Sequence, residues 1–168
     1  MAPLAAGHTP WGMEYSLHTV PPSIRREIQS VFPKSNLEQL LIVPTCQHAT
    51  VDLVNTGERV EGEKDRLLER FMAWAKVVCD QLSAAGHWAD YIDPCSGLPM
   101  IHTDLNVVYP EVPALSVLMG YQTSNAGCCK VLLHPVWGSA VYPASLFTEA
   151  PQEALLAAIQ VANASQVE

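Results

Sequence analysis

The stretch Leu67-Leu68-Glu69-Arg70-Phe71-Met72-Ala73-Trp74-Ala75-Lys76-Val77-Val78-Cys79-Asp80-Gln81-Leu82 decides the fold. Leu67, Leu68, Phe71, Met72, Trp74, Ala75, Val78, Cys79 and Leu82 recur at steps of three and four residues, which puts them on one helical face. Charges concentrate between residues 58 and 70, and Gly86 supplies a stop, so the pattern predicts a long, largely buried helix over about residues 58–85.

Around that helix the patterning changes period. Trp11 to Leu17 alternates apolar and polar residues and reads as a strand at a sheet edge. Pro21-Pro22 followed by Ile24, Ile28 and Val31/Phe32 predicts a short amphipathic helix that ends at Pro33. Leu37 to Val54 is β-branched and apolar with Pro44 in its midst, which predicts two strands or one bulged strand. His87 to Ile92 reads as a strand entering the Asp93-Pro94-Cys95-Ser96-Gly97 turn. Residues 99–113 carry three prolines and read as irregular. Ala114 to Met119, Gly127 to Leu133 and Val136 to Phe147 read as strands, the last with an edge or bulge at Pro143. A final helix starts at Pro151 and runs to Ala162. Strands that cluster rather than alternate with helices predict an α+β fold, mainly antiparallel, packed on the long central helix. Residues 1–14 read as an N-terminal extension and residues 15–168 as a single domain.

Composition narrows the function. The chain has 168 residues, 9 Lys+Arg against 17 Asp+Glu, and a formal charge of −8. Such a chain cannot supply the clustered cations that bind nucleic acid or anionic membranes without sequence preference. No run approaches the length of a membrane span. The amino end lacks a basic n-region and the arginines of a transit peptide. The 5 cysteines include no Cys-x-x-Cys, which disfavours a disulfide framework or structural zinc and predicts a reducing, cytoplasmic setting.

The local feature with most chemistry is Gly127-Cys128-Cys129-Lys130-Val131. A thiolate is a soft ligand and a nucleophile, and a neighbouring cation such as Lys130 favours it. Free cysteines are more often small core residues. Strand alternation puts Cys129, Val131 and Leu133 on one face and Cys128, Lys130 and Leu132 on the other, and by that pattern Cys128 is the more exposed thiol. His134 follows on the next connection and raises a Cys/His couple, although a turn histidine near Trp137 more often packs. The histidines show no His-x-x-x-His or His-Glu-x-x-His spacing. Asp90 and Asp93 lie three apart, the second explained by its turn. The run Glu58, Glu61, Glu63, Asp65 reads as the acidic bias of a helix start.

Several separated motifs nevertheless occur together. Ile92-Asp93-Pro94-x-Ser96-Gly97-Leu98, Gly127-Cys128-Cys129-Lys130-Val131, His134, Trp137-Gly138 and Leu146-Phe147-Thr148 resemble the C-terminal domain of the CblD family of cobalamin trafficking proteins. Pro22-Ser23-Ile24-Arg25-x-Glu27-Ile28-x-Ser30-Val31-Phe32-Pro33 and Gly86-x-Trp88-Ala89-Asp90 fit the same family in the same order. The likeness covers most of residues 15–148, with Cys95 where the family has serine and only Gly120 matching within 99–126.

The resemblance implies a nitroreductase-like α+β fold used without flavin or turnover. It implies an adaptor that binds the cobalamin-processing protein CblC and directs cobalamin to methionine synthase, with its reductase a further candidate partner, and to mitochondrial methylmalonyl-CoA mutase. The family's cobalt ligand is the second cysteine of the pair, here Cys129, with Cys128, Lys130 and His134 as supporting candidates. A polarisable thiolate suits a cobalt centre. A protein monomeric alone, cytoplasmic with a mitochondrial form, is the corresponding expectation. The rival readings are an FMN-dependent nitroreductase-like oxidoreductase and a thiol-redox enzyme using Cys128 and Cys129.

Overall fold

A computed structural model describes residues 2–127 and 129–165. Among the described residues, seven strands and four α-helices form three layers. The central sheet contains β1 (Ala5–His8), β2 (Glu14–Thr19), β3 (Leu41–His48), β4 (Ala89–Tyr91) and β7 (Val141–Thr148) in the order β1-β2-β3-β7-β4. Every pairing in it is antiparallel. A separate two-stranded sheet pairs β5 (Gln122–Ala126) with β6 (Cys129–Leu133).

The long helix α2 (Glu58–Ala84) lies on one face of the central sheet with α4 (Gln152–Ser165). Its apolar stripe, Phe71, Trp74, Ala75, Val78, Cys79 and Leu82, is buried against Leu17, Leu41, Val43, Tyr91, Ala144 and Leu146. The stop at Gly86 is a Schellman cap: Gly86, at φ 87°, donates its N–H to Ser83 O and His87 donates to Leu82 O. The opposite face is covered by α1 (Arg25–Val31), entered through a 3-10 turn at Pro22–Ile24, and by α3 (Glu111–Met119) with the hairpin. Because both faces are covered, β3 is buried from Leu41 to Gln47 and shows no clean polar alternation.

Four expectations change. Ala114–Met119 is helical rather than extended: Ala114, Leu115 and Leu118 are buried at helical spacing, and Gly120, at φ 71°, ends the helix. A short apolar run cannot by itself distinguish strand from buried helix, and Pro113 is harmless in a first turn whose N–H groups lack intrahelical partners. The segment around Pro44 is one strand, not two and not bulged. Its pairing with β7 runs unbroken from Leu41 to His48, while its ladder to β2 skips Val43 and Pro44 and resumes in the same register. β2 is internal, since β1 within the first fourteen residues covers its outer edge. The last strand begins at Val141, after a turn closed by pairing of His134 with Gly138. Pro143 lies in the half of β7 that β4 does not reach, because β4 pairs only with Leu146–Thr148.

Candidate functional site

Cys129 opens β6 at the tip of the hairpin, where a two-residue connection joins Ala126 to its register partner Cys129. Gly127 takes φ 64°, the positive angle that such tight connections require at their first residue. Cys128, the other thiol of the sequence pair, lies outside the described residues. Cys129 and Lys130 are both exposed, whereas Leu132 is 2% exposed and joins Cys46, Leu115 and Val141 in a small core. Leu132 is the residue of β6 that reaches the core, and exposure at Cys129 comes from its place beyond the end of that core; the comparison of Cys128 with Cys129 lies outside the described residues.

Cys129 borders a groove of about 340 Å³. One wall is the hairpin edge, the floor includes Val141 and Pro143 of β7, and the other wall is the loop Leu53–Thr56 with Glu61 and Lys64 of α2. That loop is held from two sides. Thr50 donates its N–H to Glu63, which also takes a forked pair from Arg66 at 2.7 and 3.0 Å. Asp52 accepts from Ser139 Oγ at 2.8 Å and from the Val54 N–H at 3.1 Å. Arg66, and then the Thr50 bond, hold the Glu63 carboxyl down at about 2 against its partial desolvation. Glu63 is thus more than acidic bias at a helix start. Glu58 and Glu61 occupy the first turn, but Glu63 is 7% exposed and anchors a groove wall 13 residues away.

His134 does not approach Cys129. It stands beyond the far end of β6, five residues on, or roughly 17 Å of extended chain. Its Nδ1 accepts the N–H groups of Val136 and Trp137 at 3.1 and 3.2 Å, so its proton sits on Nε2 and is donated to Glu14 Oε1 at 2.8 Å. The ring stacks on Trp137 at 4.0 Å and Tyr121 meets it edge-on at 5.3 Å. His134 closes a turn and ties it to β2. The packed alternative for this residue is the correct one, and no Cys/His couple forms between Cys129 and His134.

The remaining described cysteines divide by burial. Cys46 and Cys79 are 4% and 1% exposed, and burial pushes both thiols well above their ordinary range. Cys95 is exposed in the turn that Asp93 organises by accepting from the Cys95 N–H and Ser96 Oγ. Reagents in solvent reach Cys95 and Cys129, and of these only Cys129 faces a formed groove with two lysines, Lys64 and Lys130, at its border. No group of three or more His, Cys, Asp or Glu side chains placed to hold a metal ion occurs among the described residues.

Fold and site together define a class: a mixed α/β domain, with an antiparallel sheet, that presents a thiol from a hairpin. The chain belongs to the family described as methylmalonic aciduria and homocystinuria type D protein, whose family model matches residues 6–160. It is 37% identical over 138 residues to the cobalamin trafficking protein CblD of Rattus norvegicus, a match covering 82% of this chain and 47% of the relative. Matches to the proteins of the same name from Mus musculus and Homo sapiens are 36% identical with the same coverage. The chain spans about half the length of these relatives. No described helix is long and apolar enough to cross a membrane.

Proposed function

We propose that this domain is a cobalamin-trafficking adaptor without turnover, in which the Cys129 thiolate ligates the cobalt of cobalamin held by a CblC-type processing protein. One observation carries the reading. Cys129 is an exposed thiol bordering a formed groove, on a hairpin secured at both ends, in a chain of the CblD-related family. A single soft sulfur ligand suits an ion whose other positions are filled by a macrocycle brought by the partner. Lys130 and Lys64, the latter paired with Glu61 at 3.7 Å, border the same groove. Delivery onward to methionine synthase and methylmalonyl-CoA mutase, a nitroreductase-type ancestry of the fold without flavin, a monomeric free state, and residence in cytoplasm and mitochondrion belong to the same proposal.

Absorbance spectroscopy tests it. Cobalamin-loaded CblC is titrated with this protein and with the Cys129→Ser, Cys128→Ser and Cys95→Ser variants. A thiolato-cobalamin spectrum lost only with Cys129→Ser is the expected result. Its retention in that variant would remove the assignment.

A further inference from the structure

A second cavity of about 410 Å³ lies on the opposite end of the sheet, between the end of α1 and the loop 101–105. Thr148, whose hydroxyl donates to Trp88 O at 2.7 Å, and Val141, which floors the groove, are the two ends of β7. Seven residues of strand, roughly 23 Å, therefore separate the cavity from the Cys129 groove. The volume is within the range of small-ligand sites.

The cavity has a built polar feature. Asp90, 0% exposed, accepts the N–H groups of Tyr91, Met100, Ile101 and His102 between 2.8 and 3.2 Å. The same carboxylate meets His102 Nδ1 at 2.7 Å. A carboxylate surrounded by donors can only accept, so Nδ1 carries a proton and Asp90 fixes the orientation of the His102 ring. Nε2 is on the ring edge away from Asp90 and has no protein partner among the described residues, and His102 lines the cavity. The His102 ring stacks on Trp88 at 5.3 Å, and Phe32 meets Trp88 edge-on at 5.1 Å. Two carboxylates, Asp104 and Glu149, and one cation, Lys34, complete the polar lining, with Ser35 Oγ donating to one Glu149 oxygen at 3.0 Å.

We infer that this cavity binds a small organic cation, a nitrogen group rich in N–H donors carried on a flat aromatic or apolar body. Aromatic walls favour flat bodies and cations alike. The excess of carboxylates, Asp104 and Glu149, over the single Lys34 cation selects donors over acceptors. The buried Asp90 fixes the orientation of the His102 ring as a positioning residue and does not line the cavity.

Benzamidine, a flat aromatic amidinium, is the probe, and benzoate, of the same shape and opposite charge, is its control. Proton–nitrogen correlation spectra follow the Trp88 indole N–H, assigned with Trp88→Phe. Benzamidine is expected to shift it saturably in the millimolar range suited to so small a ligand, and benzoate to leave it unmoved. His102→Phe, which keeps a ring against Trp88, and Asp104→Asn combined with Glu149→Gln should each weaken binding about tenfold, with the rest of the spectrum preserved. No saturable shift, an equal response to benzoate, or undiminished binding in both variants would overturn the inference.

Discussion

Glu14 and His134, 120 positions apart in the chain, meet at 2.8 Å where the hairpin sheet joins the central sheet. That bond ties the exit of β6 to β2. With both His134 nitrogens engaged, the ring is spent on architecture. His134→Ala should cost about 2–4 kcal/mol in urea unfolding, through lost packing against Trp137 and a Glu14 carboxylate left with only the 3.7 Å contact of His8. The pH profile of Cys129 alkylation should keep its midpoint in the folded variant, since the imidazole does not serve the thiol. A midpoint displaced by a full unit would reinstate the couple.

Thiol reactivity should sort by burial. Native protein treated with iodoacetamide is expected to label Cys129 and Cys95, and Cys46 and Cys79 only after unfolding, read by peptide mass mapping. Raised folded-state values at Cys46 and Cys79 carry a sign: stability is fully present below the thiol's ordinary value of about 9 and is lost as pH climbs beyond it.

Glu111 carries the opposite liability near neutrality. Its carboxyl is enclosed, Ser145 Oγ donates to Oε2, Oε1 has no partner, and burial pushes it up to about 7 from 4.5. An acid with a raised folded value stabilises fully below the unfolded value and loses that contribution as pH rises through the folded one. Glu111→Gln should therefore raise the melting temperature at pH 8, by a margin of up to ~3 kcal/mol, and lose that advantage by pH 4.5. Calorimetry at the two pH values decides it, and an equal effect at both would contradict the assignment.

Glu63 behaves in reverse. Held near 2, it contributes stability above the ordinary carboxylate value that disappears as pH falls through about 2. Glu63→Gln is expected to cost about 1–3 kcal/mol at pH 7 and to loosen the Leu53–Thr56 wall of the groove. Amide exchange at Thr50 and Val54 should quicken in the variant while β3 stays protected.

Asp90→Asn should release the loop 100–102. Replacing an acceptor of five donors with an amide that has one acceptor oxygen strands several N–H groups, at a cost of about 2–4 kcal/mol. Limited proteolysis is expected to cut first within 99–105 in the variant and elsewhere in the parent protein.

Where each element lies was largely legible in the sequence. The α2 stripe, the Gly86 stop, the α1 helix between two prolines and the Asp93 turn all depend on residues close in the chain, where periodicity and backbone angles act directly. Ala114–Met119 escaped because so short a mainly apolar run fits a strand as well as a helix. β5, Gln-Thr-Ser-Asn-Ala, carries no apolar alternation, and only its pairing with β6 makes it a strand.

The sequence by itself determined the inventory: a dominant helix, apolar strands, and an adjacent cysteine pair beside a lysine. Tertiary structure decided what those residues do. Leu132 reaches a core completed by Cys46, Leu115 and Val141 from three other elements, while Cys129 on the same strand stays exposed beyond the end of that core. His134 is taken by Glu14, Glu63 by Thr50, and His102 by Asp90. Each is a charge or ring whose role depends on a partner distant in sequence, and local patterning carries no information about which distant partner the fold will bring within hydrogen-bond reach.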